Sequence, residues 1–251
     1  MAKFDLAFDP PIMNAAGTLG YIPDQHGPIE WSQLGAFVTH PISLAPRTPA
    51  HGRRFITYPG GYLLHTGYPN PGISQSMKRF AHTWRRSPLP IIVHLLAREP
   101  DDLAKMVRKL EMVGGVSGLE VGVDSDAPPE QVAALTQAAI GELPVILRLP
   151  MERAAELSTI AIQAGAMAVS LAAPRGIYPL QAEEFIHGRL YGPAILPLAL
   201  RVVQELVKQG IPVIGAGGLY THEQCKAMLS VGAIAVQLDG ILWRRAGYKI
   251  F

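Results

Sequence analysis

Eight short apolar runs alternate with longer segments of helical pattern from one end of this 251-residue chain to the other. The runs are Ile12–Ala16, Ala36–Thr39, Ile91–Leu95, Leu119–Val123, Val145–Leu149, Ala168–Ala172, Pro212–Gly215 and Ala235–Leu238. Several are apolar throughout rather than alternating, the pattern of strands covered on both faces. Strand–helix alternation implies parallel pairing, because parallel neighbours need a crossover. Eight such units in about 250 residues match the size of a closed (β/α)8 TIM barrel of the α/β class, with an open doubly wound sheet as the alternative.

The intervening segments carry start and stop signals. Helices are expected over 101–113, 128–140, 152–164, 193–209 and 221–231, with acids or prolines early and Gly114, Gly141, Gly165, Gly210 and Gly232 just past their ends. The stretch 41–87 is long, rich in Gly and Pro and poor in helix periodicity; it is expected as a loop or lid on a single domain spanning 1–251.

Composition removes several function classes. The net charge of +2 leaves no basic footprint for nucleic acid. The one cysteine, Cys225, excludes a disulfide framework and any cysteine-built metal site within the chain. With no signal-like N-terminus and no apolar run of membrane-spanning length, a cytoplasmic protein acting on a small molecule is expected. An apolar barrel exterior is compatible with a homodimer, which nothing in the sequence specifies.

Several turns carry more specific information. The first run leads into Asn14-Ala15-Ala16-Gly17-Thr18, and Pro46-Arg47 and Gly67-Tyr68-Pro69-Asn70-Pro71-Gly72 follow. Later come Gly192-Pro193-Ala194, then Gly215-Ala216-Gly217-Gly218-Leu219, then Val236-Gln237. In this order and spacing the series resembles the FMN-dependent dihydroorotate dehydrogenases over almost the whole chain. The resemblance implies FMN across the C-terminal mouth of the barrel. It sets the isoalloxazine ring against Ala15, Ala16, Gly17 and Thr39, and the phosphate against Gly192, Gly217, Gly218 and the Asp239-Gly240 turn. Backbone amides of glycine-rich turns after late barrel strands are suited to an anion, whichever family they belong to.

The chain also departs from that family. Leu64, Gly122, Ala127 and Ala173 stand where the family holds its substrate with asparagines, which argues against dihydroorotate itself. The family's loop base corresponds to Ser125, read either as a base assisted by Asp124 or Asp126 or as a polar turn ahead of a helix. Two family lysines correspond to His40 and Arg148. Arg148 is either the cation beside a reduced flavin or the partner of Glu120; His40 is either a proton donor or a polar strand end. His94 reads as a hydrogen-bonded core histidine; His65, Tyr68 and Tyr191 are further candidates for the mouth. Asp239, where the family has glycine, would oppose a phosphate about 4 Å away by about 4 kcal/mol per unit charge at an effective dielectric of 20. It either turns outward to cap the next helix or is offset by Arg175, Arg189, Arg244 or Arg245. The expected activity is FMN-dependent oxidation or reduction of a small CH–CH substrate. The alternative is a barrel that keeps a flavin or phosphate site and has lost the chemistry.

Overall fold

The computed structural model describes residues 6–24, 26–27, 29–52, 54–181 and 184–244. The eight expected runs all form strands: β1 (Ile12–Asn14), β2 (Phe37–Val38), β6 (Ile91–Leu96), β7 (Val116–Gly122), β8 (Val145–Pro150), β9 (Ala168–Ala172), β12 (Val213–Ala216) and β13 (Ala235–Leu238). They are hydrogen-bonded in the order β1-β13-β12-β9-β8-β7-β6-β2, every pair parallel. A parallel bridge between Met13 and Ala36 joins the two ends, and the sheet closes into a TIM barrel. The Asn14 side chain completes that seam, accepting from the Val38 N–H at 2.9 Å and donating to the Val38 carbonyl at 2.7 Å.

The pleat sorts side chains into layers. Met13, Ala36, Val38, Ile92, Ile146, Ala168, Ile214 and Ala235 fill the lower barrel with apolar atoms. Two residues further along their strands, His94, Arg148, Ser170 and Gln237 lie with Glu120 in a buried polar layer. The alternate residues, such as Leu119, Val121, Leu147, Leu149, Val169 and Leu171, face outward under the helices. α2 (Pro100–Glu111) shows the match: Leu103, Met106, Val107 and Leu110 are its buried stripe, at spacings of three, one and three. α3 (Pro129–Ala139), α4 (Ala154–Gln163), α5 (Leu196–Lys208) and α6 (His222–Ser230) fall within the expected segments. Thr221 and Gln224 form a capping box on α6.

The segment 41–87 differs from the expected loop. It contains β3 (Ile42–Ser43), β4 (Phe55–Tyr58), β5 (Gly61–Leu64) and α1 (Gly72–Arg85). α1 does have a helical stripe, Ile73, Met77, Phe80 and Trp84, but basic and polar residues dilute it, which hides the period. β3 pairs with the upper part of β6. β4 and β5 join a hairpin that the sequence reading also lacked, β10 (Arg175–Gln181) with β11 (Glu184–Tyr191), in an antiparallel sheet of order β10-β11-β5-β4. This sheet contributes one wall to a cavity at the C-terminal ends of the barrel strands.

Candidate functional site

The cavity has a volume of about 440 Å³, within the range of small-molecule sites. Its floor is the barrel mouth, where Gly122, Arg148 and Ala172 line it above the polar layer. One side is the turn Ala15–Thr18, and opposite it stand Leu64–Tyr68 and Gly188–Arg189 of the antiparallel sheet. Tyr191 and Asp239, both buried, form the inner end, with the partly exposed Trp243 beside them.

The turn after β1 is held rigidly. Gly17 has φ +89, a conformation side chains rarely adopt. Thr18 Oγ1 and Asn14 Nδ2 both donate to the Ala15 carbonyl, and Trp243 Nε1 donates to the Thr18 carbonyl at 2.9 Å. The small side chains of Ala15 and Ala16 leave backbone exposed to the cavity.

Arg148 is the buried cation of the site. The guanidinium is buried, 4.0 Å from Glu120 and with one long contact of 3.4 Å to the Ala16 carbonyl; Nε has no partner. Glu120 is better satisfied. It accepts from His94 Nδ1 at 2.6 Å, Ser170 Oγ at 2.7 Å and Gln237 Nε2 at 2.6 Å. Burial pushes its carboxyl up, but the hydrogen bond and charge of His94, with the charge of Arg148, outweigh burial and bring it down to about 2. Burial lowers the pKa of His94, against the opposing pull of the Glu120 hydrogen bond and charge. Glu120 compensates the charge of Arg148, and guanidinium donors remain over for a ligand.

His40 lines the cavity beside the turn, half-buried and edge-on to Tyr21 at 5.3 Å. Burial lowers its pKa, so the ring is neutral at physiological pH. Thr39 is fully buried and lies beneath the cavity wall, where its Oγ1 accepts from the His94 N–H at 3.1 Å. Ser125 is not part of the wall. Gly122, Val123 and Asp124 line the cavity, while Arg153 ties the Ser125 and Ala127 carbonyls to the outside. Asp124 is paired with Arg98 at 2.6 Å. Neither asparagine faces the cavity: Asn14 closes the barrel, and Asn70 fixes Ser43 and Gly72. Leu64 and Gly122 do face it, so two of the family's amide positions present no amide.

The glycine turns expected to hold a phosphate lie apart from the cavity. Gly192, Gly217, Gly218 and Gly240 do not line the cavity. The Cα hydrogens of Gly192 and Gly218 pack on the backbone of Gly60 and Leu196, and Gly217 packs on Ile195 and Met151. Tyr62 and Tyr220 set their hydroxyls against Gly240, where a Cβ would overlap both. Asp239 caps the short helix Gly240–Trp243, as one reading has it, but without turning outward. As the next inward position after Ala235 and Gln237 it reaches the cavity end, 5% exposed, and its Oδ1 accepts the Gly240 N–H. Burial pushes its carboxyl up to about 6, against the Gly240 hydrogen bond and the attraction of Arg148. Behind it Tyr62 stacks on Tyr191 at 5.3 Å, and both contact Trp243. Of the offsetting arginines, Arg175 and Arg189 line the cavity, Arg244 lies over the Tyr220 ring, and Arg245 is outside the described residues.

The family model for dihydroorotate dehydrogenase matches residues 2–139, more than half of the chain. The chain belongs to the dihydroorotate dehydrogenase family. A second family model, nitronate monooxygenase, matches residues 179–242. Curated relatives agree along the length. The chain is 30% identical to a dihydroorotate dehydrogenase B (NAD(+)) catalytic subunit of Trichlorobacter lovleyi, with 91% of this chain and 82% of the relative covered. It is 29% identical to the protein of that name from Pyrococcus furiosus, with 99% and 88% covered. A solved dihydroorotate dehydrogenase of Eimeria tenella, in complex with ferulenol, superimposes with a TM-score of 0.75 over 95% of this chain and 77% of that one, at 14% identity. That likeness shows the shared barrel fold. Among the described residues no helix is long and apolar enough to cross a membrane.

FMN, the cofactor implied by the family resemblance, meets a divided site. The ring end fits a flavin: small residues, exposed backbone and a buried guanidinium with donors to spare. The tail end does not fit a phosphate, because a carboxylate occupies the Gly240 amide and three tyrosines stand behind it.

Proposed function

We propose that this chain is a flavin-dependent oxidoreductase of the dihydroorotate dehydrogenase type, acting on a small CH–CH substrate other than dihydroorotate. The under-satisfied guanidinium of Arg148 on the floor of the cavity carries the reading. A buried cation with an unpartnered Nε is costly unless an anionic or strongly accepting group completes it. A bound flavin would supply the acceptor or donor of the hydride. The rest falls to the chain. Arg148, held in place by Glu120, favours negative charge on whatever lies above it. The Ala15–Gly17 turn gives a flat ring a close-packed backbone edge. His40 is an imidazole of the wall, its pKa lowered by burial, and is the group proposed to move the substrate's proton, in place of Ser125. Leu64 and Gly122 make the substrate side apolar, which favours a ligand without dihydroorotate's amide pattern.

The second reading, a barrel that binds a ligand without turning it over, is supported by the position of Ser125 outside the wall. Anaerobic mixing of flavin-loaded protein with dihydroorotate and a panel of small cyclic CH–CH donors separates the two. Loss of the oxidised flavin band with a panel compound but not with dihydroorotate supports the enzyme. Bleaching by dihydroorotate at a comparable rate contradicts the substrate assignment, and no bleaching by any compound favours the binding barrel.

A further inference from the structure

The carboxylate at the inner end of the cavity and the aromatic rings around it belong together. They form a second, coherent set of groups. Tyr191, Asp239 and Trp243 make a wall with two aromatic rings and one acceptor. Oδ1 of Asp239 is engaged by the Gly240 N–H, so its other oxygen is the polar atom left for the cavity. Tyr62 and Tyr220 pack directly against Gly240 and block entry from behind. Burial raises the pKa of both phenols, so they remain protonated and add no negative charge of their own. A phosphate at neutral pH brings negative charge and no spare proton, and it would meet a carboxylate at close range. An alcohol brings an O–H that a carboxylate accepts, and its carbon chain suits the aromatic wall.

Resting on the flavin reading above, we propose that the inner end of this cavity selects an uncharged, hydroxyl-bearing tail, so that the chain prefers a riboflavin-type flavin to FMN. Asp239 is the specificity-determining residue, and the Tyr62–Tyr191–Trp243 cluster fixes the length of tail that can be held. Arg175 and Arg189 face each other across the antiparallel sheet, and Arg189, two residues before Tyr191 on its strand, is engaged with the Ala173 carbonyl and the Tyr68 ring.

The test is a fluorescence-quenching titration of the purified full chain, at pH 8, with riboflavin, FMN and lumiflavin, which has the ring and no tail. Riboflavin is expected to bind at least ten-fold more tightly than FMN. Asp239→Asn, which keeps the shape and the acceptor for Gly240, is expected to narrow that ratio to about three-fold or less by strengthening FMN. FMN binding as tightly as riboflavin to the wild-type chain overturns the inference and leaves the flavin reading standing, as does a ratio unchanged in a folded Asp239→Asn protein. Should that variant fail to fold, the wild-type ratio alone decides. No binding of any of the three, lumiflavin included, removes the flavin reading and this inference with it.

Discussion

Replacing Glu120 by glutamine leaves the shape of the barrel interior and removes one charge. The side chain still accepts from Ser170 and Gln237, but Arg148 loses its leading counter-charge, leaving the weaker attraction of Asp239, and His94 faces an amide. Breaking a buried pair by removing one partner costs about 3–5 kcal/mol. An independent route gives a similar figure. A carboxyl at about 2 instead of the ordinary 4.5 favours folding by about 3 kcal/mol. For a chain of this length each kcal/mol moves the melting temperature by roughly 2–4 °C, so a fall of roughly 6–20 °C is expected at pH 7. The sign with pH follows from the depressed pKa. The stabilisation is complete above about 4.5 and fades as the pH falls towards about 2, so the gap between wild type and variant closes in acid. Adding Arg148→Met removes the buried cation, and the double variant is expected to recover at least half of the loss. Calorimetric melts of the four proteins make the cycle. A Glu120→Gln cost under about 1 kcal/mol, or a double variant worse than either single one, would refute the account of the polar layer.

Three further outcomes follow from the same structure. Asp239→Asn is expected to stabilise the protein by up to about 3 kcal/mol at pH 8 and by little at pH 4. A carboxyl raised to about 6 favours folding only while protonated and loses that contribution as the pH rises from 3.8 through 6; equal effects at both pH values in denaturant titrations would contradict this. Gly240→Ala pushes a methyl into the Tyr62 hydroxyl and is expected to cost about 1–3 kcal/mol. Combining it with Tyr62→Phe should return part of that loss in thermal melts, and no recovery would place the clash elsewhere. Ser125→Ala is expected to shift stability by no more than about 0.5 kcal/mol and to leave flavin affinity unchanged; a ten-fold loss of affinity would return Ser125 to the site.

The barrel was legible because its strands are nearly pure apolar runs and its helices end on glycine, signals that depend on local sequence alone. The antiparallel sheet was not. Its strands mix Gly, Pro, Arg and Tyr, as in Arg175–Gln181, and pair across more than a hundred residues with Gly61–Leu64. Arg148 and its pairing with Glu120 were readable, since a charge within an apolar strand must meet another charge. Asp239 was readable in part. The two-residue pleat running Ala235, Gln237, Asp239 already aims it at the barrel mouth, whereas its capping of Gly240 depends on local backbone that no spacing reveals. Ser125 was drawn towards the site by its position in the family pattern; Arg153, which pulls that loop outward, comes from the turn after the next strand.

The most direct test of the account is a crystal structure of the protein soaked with riboflavin. The ring is expected in the cavity, edge-on to Ala15–Gly17, with Arg148 within about 3.3 Å of one of its acceptors and the tail directed at Asp239. An empty cavity at saturating flavin, or a ring bound away from Arg148, would contradict it.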